Sequence, residues 1–334
     1  MSDKKKEKTQ IIFYFLFLSI LFSFCCQNLY GQNQKSKLTS ELNANLTSNS
    51  THRNLSDIQS VQNASHKLKV VSSFFPIGEF VKKIGGDLIE SSLLIPVGIE
   101  PHDFEPTINQ IQSVNSADVL VYNGLGIESW IDKISIPHKI QASAGLNVSY
   151  YDKTNRTIDP HVWLDPALAK KEVENIRDGL IAIDPNNRDK YLSNAKNFSD
   201  QLDSLDKAIR TDLQSCKKKD FISFHNSFSY FAKRYGLNQH SISNAGPEAE
   251  ITPKPLADII NTAKNLQLHV IYSEELIDPR YASAVAQELE NGKVLVLSPI
   301  EGLTKDEQAS GIGYIDKMHE NIKSLMEGLE CKQS

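Results

Sequence analysis

Three of the nine histidines lie in settings that suit metal binding. His102 lies in the loop GIEPHDFEPT after a predicted strand, and His161 lies in DPHVWLDP before a predicted helix. His225 lies where a predicted strand gives way to a helix. Ligands of open α/β sheets gather at the carboxyl ends of the strands, and His102 and His225 fit that rule directly. Imidazole suits zinc, copper, iron and nickel, so the pattern predicts a transition-metal site.

A zinc site of this kind has about four ligands in a tetrahedron, so a fourth donor is needed. Glu301 is our first choice, because it follows the predicted strand Val294–Leu297 and leaves the carboxyl edge of a sheet. Asp306 and Glu274 remain as alternatives. The sequence contains no H-E-x-x-H, zinc-finger, G-x-S-x-G or P-loop spacing, so no catalytic motif supports an enzyme.

Two series of alternating strands and helices would position these residues. The first has strands at Leu68–Phe74, Ser92–Pro96 and Asp118–Tyr122, with helices starting at Pro76 and Thr107 and covering Glu128–Ile134. The second has strands at Phe221–Phe224, Leu268–Tyr272 and Val294–Leu297, with helices at Pro255–Asn265, Tyr281–Glu290 and Tyr314–Leu329. This alternation predicts parallel sheets that are covered on both faces by helices.

A polar helix of about 30 residues is predicted between the two series, from Asn186 to about Ser215, after a helix at Pro166–Ile183. Its apolar positions are sparse, which favours a helix that bridges two lobes. We therefore predict an α/β fold of two doubly wound, Rossmann-like lobes joined by one long rigid helix. The predicted boundaries are 67–185 for the N-terminal lobe, 186–215 for the linking helix and 216–330 for the C-terminal lobe.

The N-terminus has the pattern of an export signal. Charged residues 2–8 precede an apolar run at residues 11–24, which is short for a membrane-spanning helix of about 20 residues. We interpret residues 1–31 as a signal peptide or a lipoprotein-type leader. Lipidation at Cys25 or Cys26, cleavage after Gly31 and an uncleaved segment all remain open. Each alternative predicts an exported, extracytoplasmic protein. We further expect it to be tethered to the outer face of the cytoplasmic membrane, as lipidation or an uncleaved segment would allow.

Residues 32–66 are rich in Asn, Ser and Thr and contain few apolar residues, which predicts a flexible tether. The density of N-x-S/T sequons in this exported segment makes glycosylation an expectation. The sequons are at Asn45, Asn49, Asn54 and Asn63, with three more at Asn147, Asn155 and Asn197.

The net charge and the cysteine content limit which partners and which kinds of metal site the protein can have. A formal net charge of −5 without a clustered basic face argues against nucleic-acid binding. Outside the leader only Cys216 and Cys331 remain, and they would form one disulfide in an oxidising compartment if the fold brings them together. No CxxC motif supports a cysteine-based zinc site. We expect a monomer.

About residues 67–330 resemble the metal-binding cluster of ABC-importer solute-binding proteins, the zinc- and manganese-binding type called cluster A-I. The matching stretches are VVSSFFPIGEFVKKIGGD, VGIEPHDFEPT, ADVLVYNGLGIESWIDK, DPHVWLDP, FISFHNSFSYFAKRYGL, PEAEITPKPLADII and GYIDKMHENIKSL. The resemblance implies that His102, His161 and His225 are ligands. It also implies a carboxylate shortly before the last helix, which we assign to Glu301. A long His/Asp-rich loop found in many zinc-specific members is absent near Ser149–Ile158.

The residues and the resemblance together predict a solute-binding protein, not an enzyme. It would capture Zn²⁺ between two lobes and deliver it to a membrane permease of an ABC importer with a cytoplasmic ATPase. Three nitrogens and one carboxylate favour zinc over manganese, which prefers more oxygen ligands. The alternatives are the same fold specific for Mn²⁺, an exported zinc hydrolase, and a surface adhesion protein.

Overall fold

The computed structural model describes residues 67–152, 157–243 and 253–332, all within the compact unit Lys67–Ser334. The predicted leader and tether, and the sequon at Asn155, lie outside the described residues. We find no helix in the described ranges that combines the length and the hydropathy needed to span a bilayer.

The first sheet has four parallel strands in the order β2-β1-β3-β4. They are β1 (Leu68–Ser72), β2 (Ile89–Leu93), β3 (Val119–Tyr122) and β4 (His138–Gln141). Helix α1 (Phe75–Gly85) follows β1, and α2 (Ile108–Asn115) precedes β3. A capping box is present at the start of α2, where Thr107 and Gln110 satisfy each other's backbone N–H groups.

A strand pair and two helices connect this sheet to the second half of the chain. A short antiparallel pair, β5 (Tyr150–Asp152) and β6 (Thr157–Ile158), is followed by a 3₁₀ turn at Val162–Leu164. Helix α3 (Pro166–Ile183) comes next, and the long helix α4 (Arg188–Gln214) follows a 3₁₀ turn at Pro185–Asn187.

The second sheet also has four parallel strands, in the order β10-β9-β7-β8. They are β7 (Asp220–His225), β8 (Asn238–Ser243), β9 (Val270–Ser273) and β10 (Lys293–Val296). The helices of this half are α5 (Ser229–Tyr235), α6 (Pro253–Asn265), α7 (Arg280–Gln287), α8 (Lys305–Ser310) and α9 (Tyr314–Gly328). Two parallel α/β sheets joined by one long helix match the predicted fold class.

Helix α4 belongs to both halves of the molecule. It has 27 residues, which gives a length of about 40 Å at 1.5 Å per residue. One stripe of this helix is buried, and the helix packs against α1, α3 and α9. The stripe comprises Tyr191, Ala195, Phe198, Leu202, Leu205, Ile209 and Leu213. The apolar positions that looked sparse in sequence therefore form one continuous face.

Cys216 and Cys331 form a disulfide, so the fold does bring them together. Cys216 lies just after the end of α4, and Cys331 lies just after the end of α9. The bond therefore joins the helix that leads into the second half to the helix that closes it.

Some predicted elements were wrong. The segment Glu128–Ile134 forms only a 3₁₀ turn at Ile131–Lys133, because the backbone is already extended at Ile134. Strand β2 ends at Leu93 and does not extend to Pro96, which lacks the N–H that a ladder would need.

Candidate metal centre

Four side chains from separate parts of the chain converge between the two sheets. His102 lies in the loop between β2 and α2, and His161 lies just before the 3₁₀ turn that leads to α3. His225 is the last residue of β7, and Glu301 lies five residues after β10. One donor atom from each residue lies within 4.8 Å of the other three. This is the set that the sequence analysis singled out.

The donor atoms are close enough to share one ion. The Nε2 atom of His161 lies 3.2 Å from His102 Nε2, 3.1 Å from His225 Nε2 and 2.7 Å from Glu301 Oε1. Glu301 Oε1 lies 3.1 Å from His102 Nε2 and 3.7 Å from His225 Nε2. A tetrahedral zinc with ordinary ligand distances separates its donors by roughly 3.3–3.4 Å. The cluster therefore has the size of a tetrahedral zinc site.

Three of the four side chains of the cluster are almost fully buried. The side chains of His161, His225 and Glu301 are at most 1% exposed, whereas 19% of the His102 side chain is exposed. His102 therefore marks the side from which solvent reaches the cluster.

His161 is oriented by a carboxylate and a phenol. Its Nδ1 atom lies 2.8 Å from Oδ1 of Asp159 and 2.6 Å from the hydroxyl of Tyr151. An Nδ1–H that donates to the carboxylate leaves the lone pair of Nε2 directed at the cluster. Asp159 is itself held by the hydroxyl of Ser229 on α5. The ring of His161 is thus fixed from both halves of the molecule.

His225 has an equivalent support in Glu274. Oε1 of Glu274 lies 2.7 Å from Nδ1 of His225 and accepts the backbone N–H of the same residue at 3.1 Å. Glu274 follows β9 and is buried. Glu274, one of the two alternatives to Glu301, thus supports His225 and is not itself part of the donor cluster. Asp306, the other alternative, lies exposed in the first turn of α8.

The loop that carries His161 rests on Glu128. The carboxylate of Glu128 accepts the N–H groups of Asn123 and Gly124, each at 2.8 Å. Asn123 Nδ2 then donates to the carbonyl of Pro160 at 3.1 Å. Burial raises the pKa of Glu128 to about 7, although these hydrogen bonds oppose the shift.

The charges of the cluster act on one another. Burial alone would raise the pKa of Glu301, but the histidines, His102 first among them, hold it well below its usual range. Burial alone would lower the pKa of His161, but Asp159 and Glu301 raise it above its usual value. Glu301 is thus ionised over the neutral range, while His161 retains a proton more readily than an ordinary histidine until a cation displaces it.

Sequence reasoning missed two residues that contact the cluster, Asp159 and Tyr151. The signal for Asp159 was present, because an acidic residue two positions before a candidate ligand can reach back to its ring. Tyr151 gave no signal, since its position depends on how the β5–β6 pair folds over the loop of His161.

Two parallel α/β sheets joined by a long helix, with a nitrogen-rich donor cluster between them, are the arrangement that the resemblance to metal-binding solute-binding proteins implies. The comparisons identify the family. The family described as ZnuA, zinc-uptake complex component A, periplasmic, matches residues 70–328. The chain belongs to this family, which confirms the resemblance to cluster A-I solute-binding proteins.

Individual relatives agree with this assignment. The chain is 36% identical over 291 residues to the high-affinity zinc uptake system protein ZnuA of Bacillus subtilis, covering 82% of this chain and 91% of that protein. The crystal structure of the Zn(II)-bound ZnuA-like domain of Streptococcus pneumoniae AdcA has a TM-score of 0.70 at 34% identity, covering 79% of this chain and 99% of that one. The chain spans only 56% of the full-length zinc-binding lipoprotein AdcA.

A further structural relative combines two activities. The laminin-binding protein Lmb of Streptococcus agalactiae is described as a bifunctional protein with adhesin and metal transporting activity. It has a TM-score of 0.73 at 30% identity, with 79% of this chain and 100% of that chain covered.

Proposed function

We propose that this protein captures Zn²⁺ through His102, His161, His225 and Glu301 and delivers it to the permease of an ABC importer that is driven by a cytoplasmic ATPase. The observation that carries the proposal is the convergence of three imidazole nitrogens and one carboxylate oxygen at tetrahedral spacing. The zinc uptake and zinc-binding names of the relatives support it.

The donor set favours zinc over manganese. Three of the four donors are nitrogen, whereas manganese prefers carboxylate, carbonyl and water oxygen. Buried carboxylates at Asp159 and Glu274 fix the rings of His161 and His225, so that their nitrogens are held at the tetrahedral spacing that zinc usually takes in proteins. Manganese specificity on the same fold remains the alternative.

Other classes of protein fit less well. A zinc hydrolase keeps an open coordination position for water beside three protein ligands, whereas four protein donors converge here. Surface adhesion is the second candidate, because the Streptococcus agalactiae relative combines it with metal transport. Adhesion alone would not require a permease.

We also propose that the protein works outside the cytoplasm as a tethered monomer. The apolar segment at residues 11–24, the Cys216–Cys331 disulfide and the periplasmic description of the family support this location. The proposed parts are a leader at 1–31, a tether at 32–66, lobes at 67–185 and 216–330, and a linking helix at 186–215.

Titration calorimetry of the purified protein with Zn²⁺ at neutral pH tests the proposal. We expect saturation at one equivalent, and zinc should be retained when equal concentrations of zinc and manganese compete. A second equivalent of equal affinity, or no binding by folded protein, would contradict the single site. Zinc binding that does not support zinc uptake by cells would favour adhesion.

A further inference from the structure

Lys317 on helix α9 is a buried cation surrounded by carboxylates. It is 2% exposed. Its Nζ atom lies 2.6 Å from Oε1 of Glu307, 3.1 Å from Oε1 of Glu275 and 3.5 Å from Oε2 of Glu320. An ammonium loses its hydration when it is buried, and only well-placed opposite charges offset that loss. The chain segments that carry these carboxylates are therefore the ones that Lys317 holds in place.

One of these neighbours leads to Glu301. The hydroxyl of Ser298 donates to Oε1 of Glu275, the same oxygen that faces Lys317. The hydroxyl oxygen of Ser298 also accepts the backbone N–H of Ile300 at 3.0 Å. Ile300 directly precedes Glu301. One ion pair and two hydrogen bonds thus connect the lysine to the backbone that presents the candidate ligand.

A second residue of helix α9, one turn after Lys317, also holds the segment of Ser298. Asn321 accepts the N–H of Ser298 at 2.7 Å and donates to the carbonyl of Ser298 at 2.7 Å. Both residues are at most 3% exposed. The backbone of Ser298 is therefore fixed in both directions before the chain turns toward Glu301.

The turn itself is strained. Ile300 has a φ of 58°, in the left-handed region that β-branched residues rarely adopt, and its side chain is fully buried. Such a conformation persists only where the surroundings over-determine it. The contacts from Lys317 and Asn321 hold the backbone around Ile300 in this conformation. Without them we expect the turn to relax and Glu301 to move away from the histidines.

A second path leads from Lys317 to His225. Glu275 follows Glu274, whose carboxylate fixes both the ring and the backbone N–H of His225. An ion pair that holds Glu275 therefore also holds the segment that supports His225. Glu307 adds a third segment, because it caps the start of α8 by accepting the N–H of Thr304 at 2.7 Å.

We propose that Lys317 is a positioning residue that holds His225 and Glu301 in the metal-binding arrangement from helix α9, without contacting the metal. The inference rests on the proposed function, since the role it assigns is in zinc capture. It predicts that zinc affinity depends on a charge that lies outside the coordination sphere.

The test compares three variants of the full-length protein. Lys317→Met removes the charge and keeps the length of the side chain, and Lys317→Arg restores the charge. Lys323→Met is the matched control, because Lys323 is exposed on the same helix. Zinc affinity is measured by competition with a chelator, and the visible spectrum of the Co²⁺-loaded protein reports the number and type of ligands.

We expect Lys317→Met to weaken zinc binding by about 10–100-fold, the usual effect of losing a group that orients a ligand. Its Co²⁺ spectrum should differ from that of the wild type, a change that loss of stability alone would not produce. Lys317→Arg should recover part of the affinity, and Lys323→Met should match the wild type. Unfolding in urea, followed by circular dichroism, verifies that each variant is folded.

A folded Lys317→Met variant with wild-type zinc affinity and Co²⁺ spectrum would overturn the inference. If that variant does not fold, Ser298→Ala decides the matter, because it keeps the ion pairs and removes only the hydroxyl between Glu275 and Ile300. It should change the Co²⁺ spectrum in the same direction, and an unchanged spectrum and affinity would again overturn the inference. Failure of the wild type to bind Zn²⁺ would instead contradict the proposed function.

Discussion

The indole N–H of Trp163 donates to the carbonyl of Pro299 at 2.8 Å, a direct hydrogen bond between the two chain segments that carry His161 and Glu301. Trp163 is fully buried. Its own carbonyl accepts the hydroxyl of Tyr314 at the start of α9. The candidate ligands from the two halves of the molecule are thus held by a common contact that involves neither of them.

Replacing this tryptophan should therefore affect stability and binding together. Trp163→Phe keeps an aromatic ring but leaves the Pro299 carbonyl without its donor, which should lower the free energy of unfolding by about 1–3 kcal/mol. We expect zinc affinity to fall by on the order of tenfold, equivalent to about 1.4 kcal/mol. Urea unfolding with and without zinc measures both effects.

Trp130→Phe is the matched control. Trp130 is also fully buried, and its Nε1 atom has no hydrogen-bond partner among the described residues. This change removes volume but no hydrogen bond, so stability should fall while zinc affinity is retained. Equal losses of zinc affinity in the two variants would contradict the role assigned to the Trp163–Pro299 contact.

The second prediction concerns the carboxylate. Glu301→Gln should weaken zinc binding more than Glu274→Gln, because Glu301 Oε1 faces His102 and His161 whereas Glu274 orients His225. Glu274→Gln should cost about 10–100-fold, as expected for a supporting carboxylate. Asp306→Asn, at an exposed position, should have little effect. Chelator competition measures all three, and a metal-bound structure should place a Glu301 oxygen roughly 2.0–2.2 Å from zinc.

The third prediction compares two histidines of the second half. His225→Ala should abolish most of the thermal stabilisation by zinc, which for a ligand at one hundred times its Kd is about 2.7 kcal/mol. His269→Ala should leave it intact, since the ring of His269 faces the backbone carbonyl of Glu290 at 2.7 Å, away from the cluster. Differential scanning calorimetry at fixed zinc concentration gives the comparison. An equal loss in both variants would indicate general destabilisation instead of ligation.

The fourth prediction is a pH dependence of zinc affinity. Asp159 and Glu301 raise the pKa of His161 above its usual 6.5, so a proton competes with zinc at higher pH than at an ordinary histidine. In the metal-free protein, the stability contributed by this proton is fully present below about pH 6.5 and is lost as pH rises through the raised value. Zinc should therefore stabilise the protein less as pH falls.

Thermal shifts with and without zinc between pH 5.5 and 8 provide the measurement. Glu301 remains ionised over this range, because the histidines hold its pKa well below its usual value. Asp159→Asn removes one of the groups that raise the pKa of His161, so the loss of zinc stabilisation should begin at lower pH in this variant. A zinc affinity that does not change between pH 5.5 and 8 would contradict the prediction.

The strand-end rule predicted the approach of two of the three histidines, whereas His161 precedes a helix and was assigned as a ligand by the family resemblance. His102 and His225 follow strands in separate series, and the prediction of two parallel sheets places such loops on a common edge. Glu301 could be favoured over Asp306 for the same reason. Strand β8, NQHSIS, could not be predicted, because its polar side chains follow neither the alternating nor the apolar pattern of a strand.

The residues that position the candidate ligands were harder to predict than the candidate ligands themselves. Lys317 appears in the sequence as an ordinary polar residue of an amphipathic helix, and only the packing of α9 against the Glu275 and Ser298 segments gives it a function. The left-handed Ile300 carried no sequence signal, since a β-branched residue is disfavoured there. Both depend on tertiary contacts between segments distant in sequence.

The disulfide makes the second half of the molecule a covalent ring. Cys216 and Cys331 are separated by 115 residues, and every strand of the second sheet lies between them. A single peptide-bond cleavage anywhere within this ring would leave the two fragments covalently joined until the disulfide is reduced. His225 and Glu301 lie inside the ring, whereas His102 and His161 lie outside it. Proteolytic nicking at one site in the second half would therefore not release either of these residues from the rest of the chain.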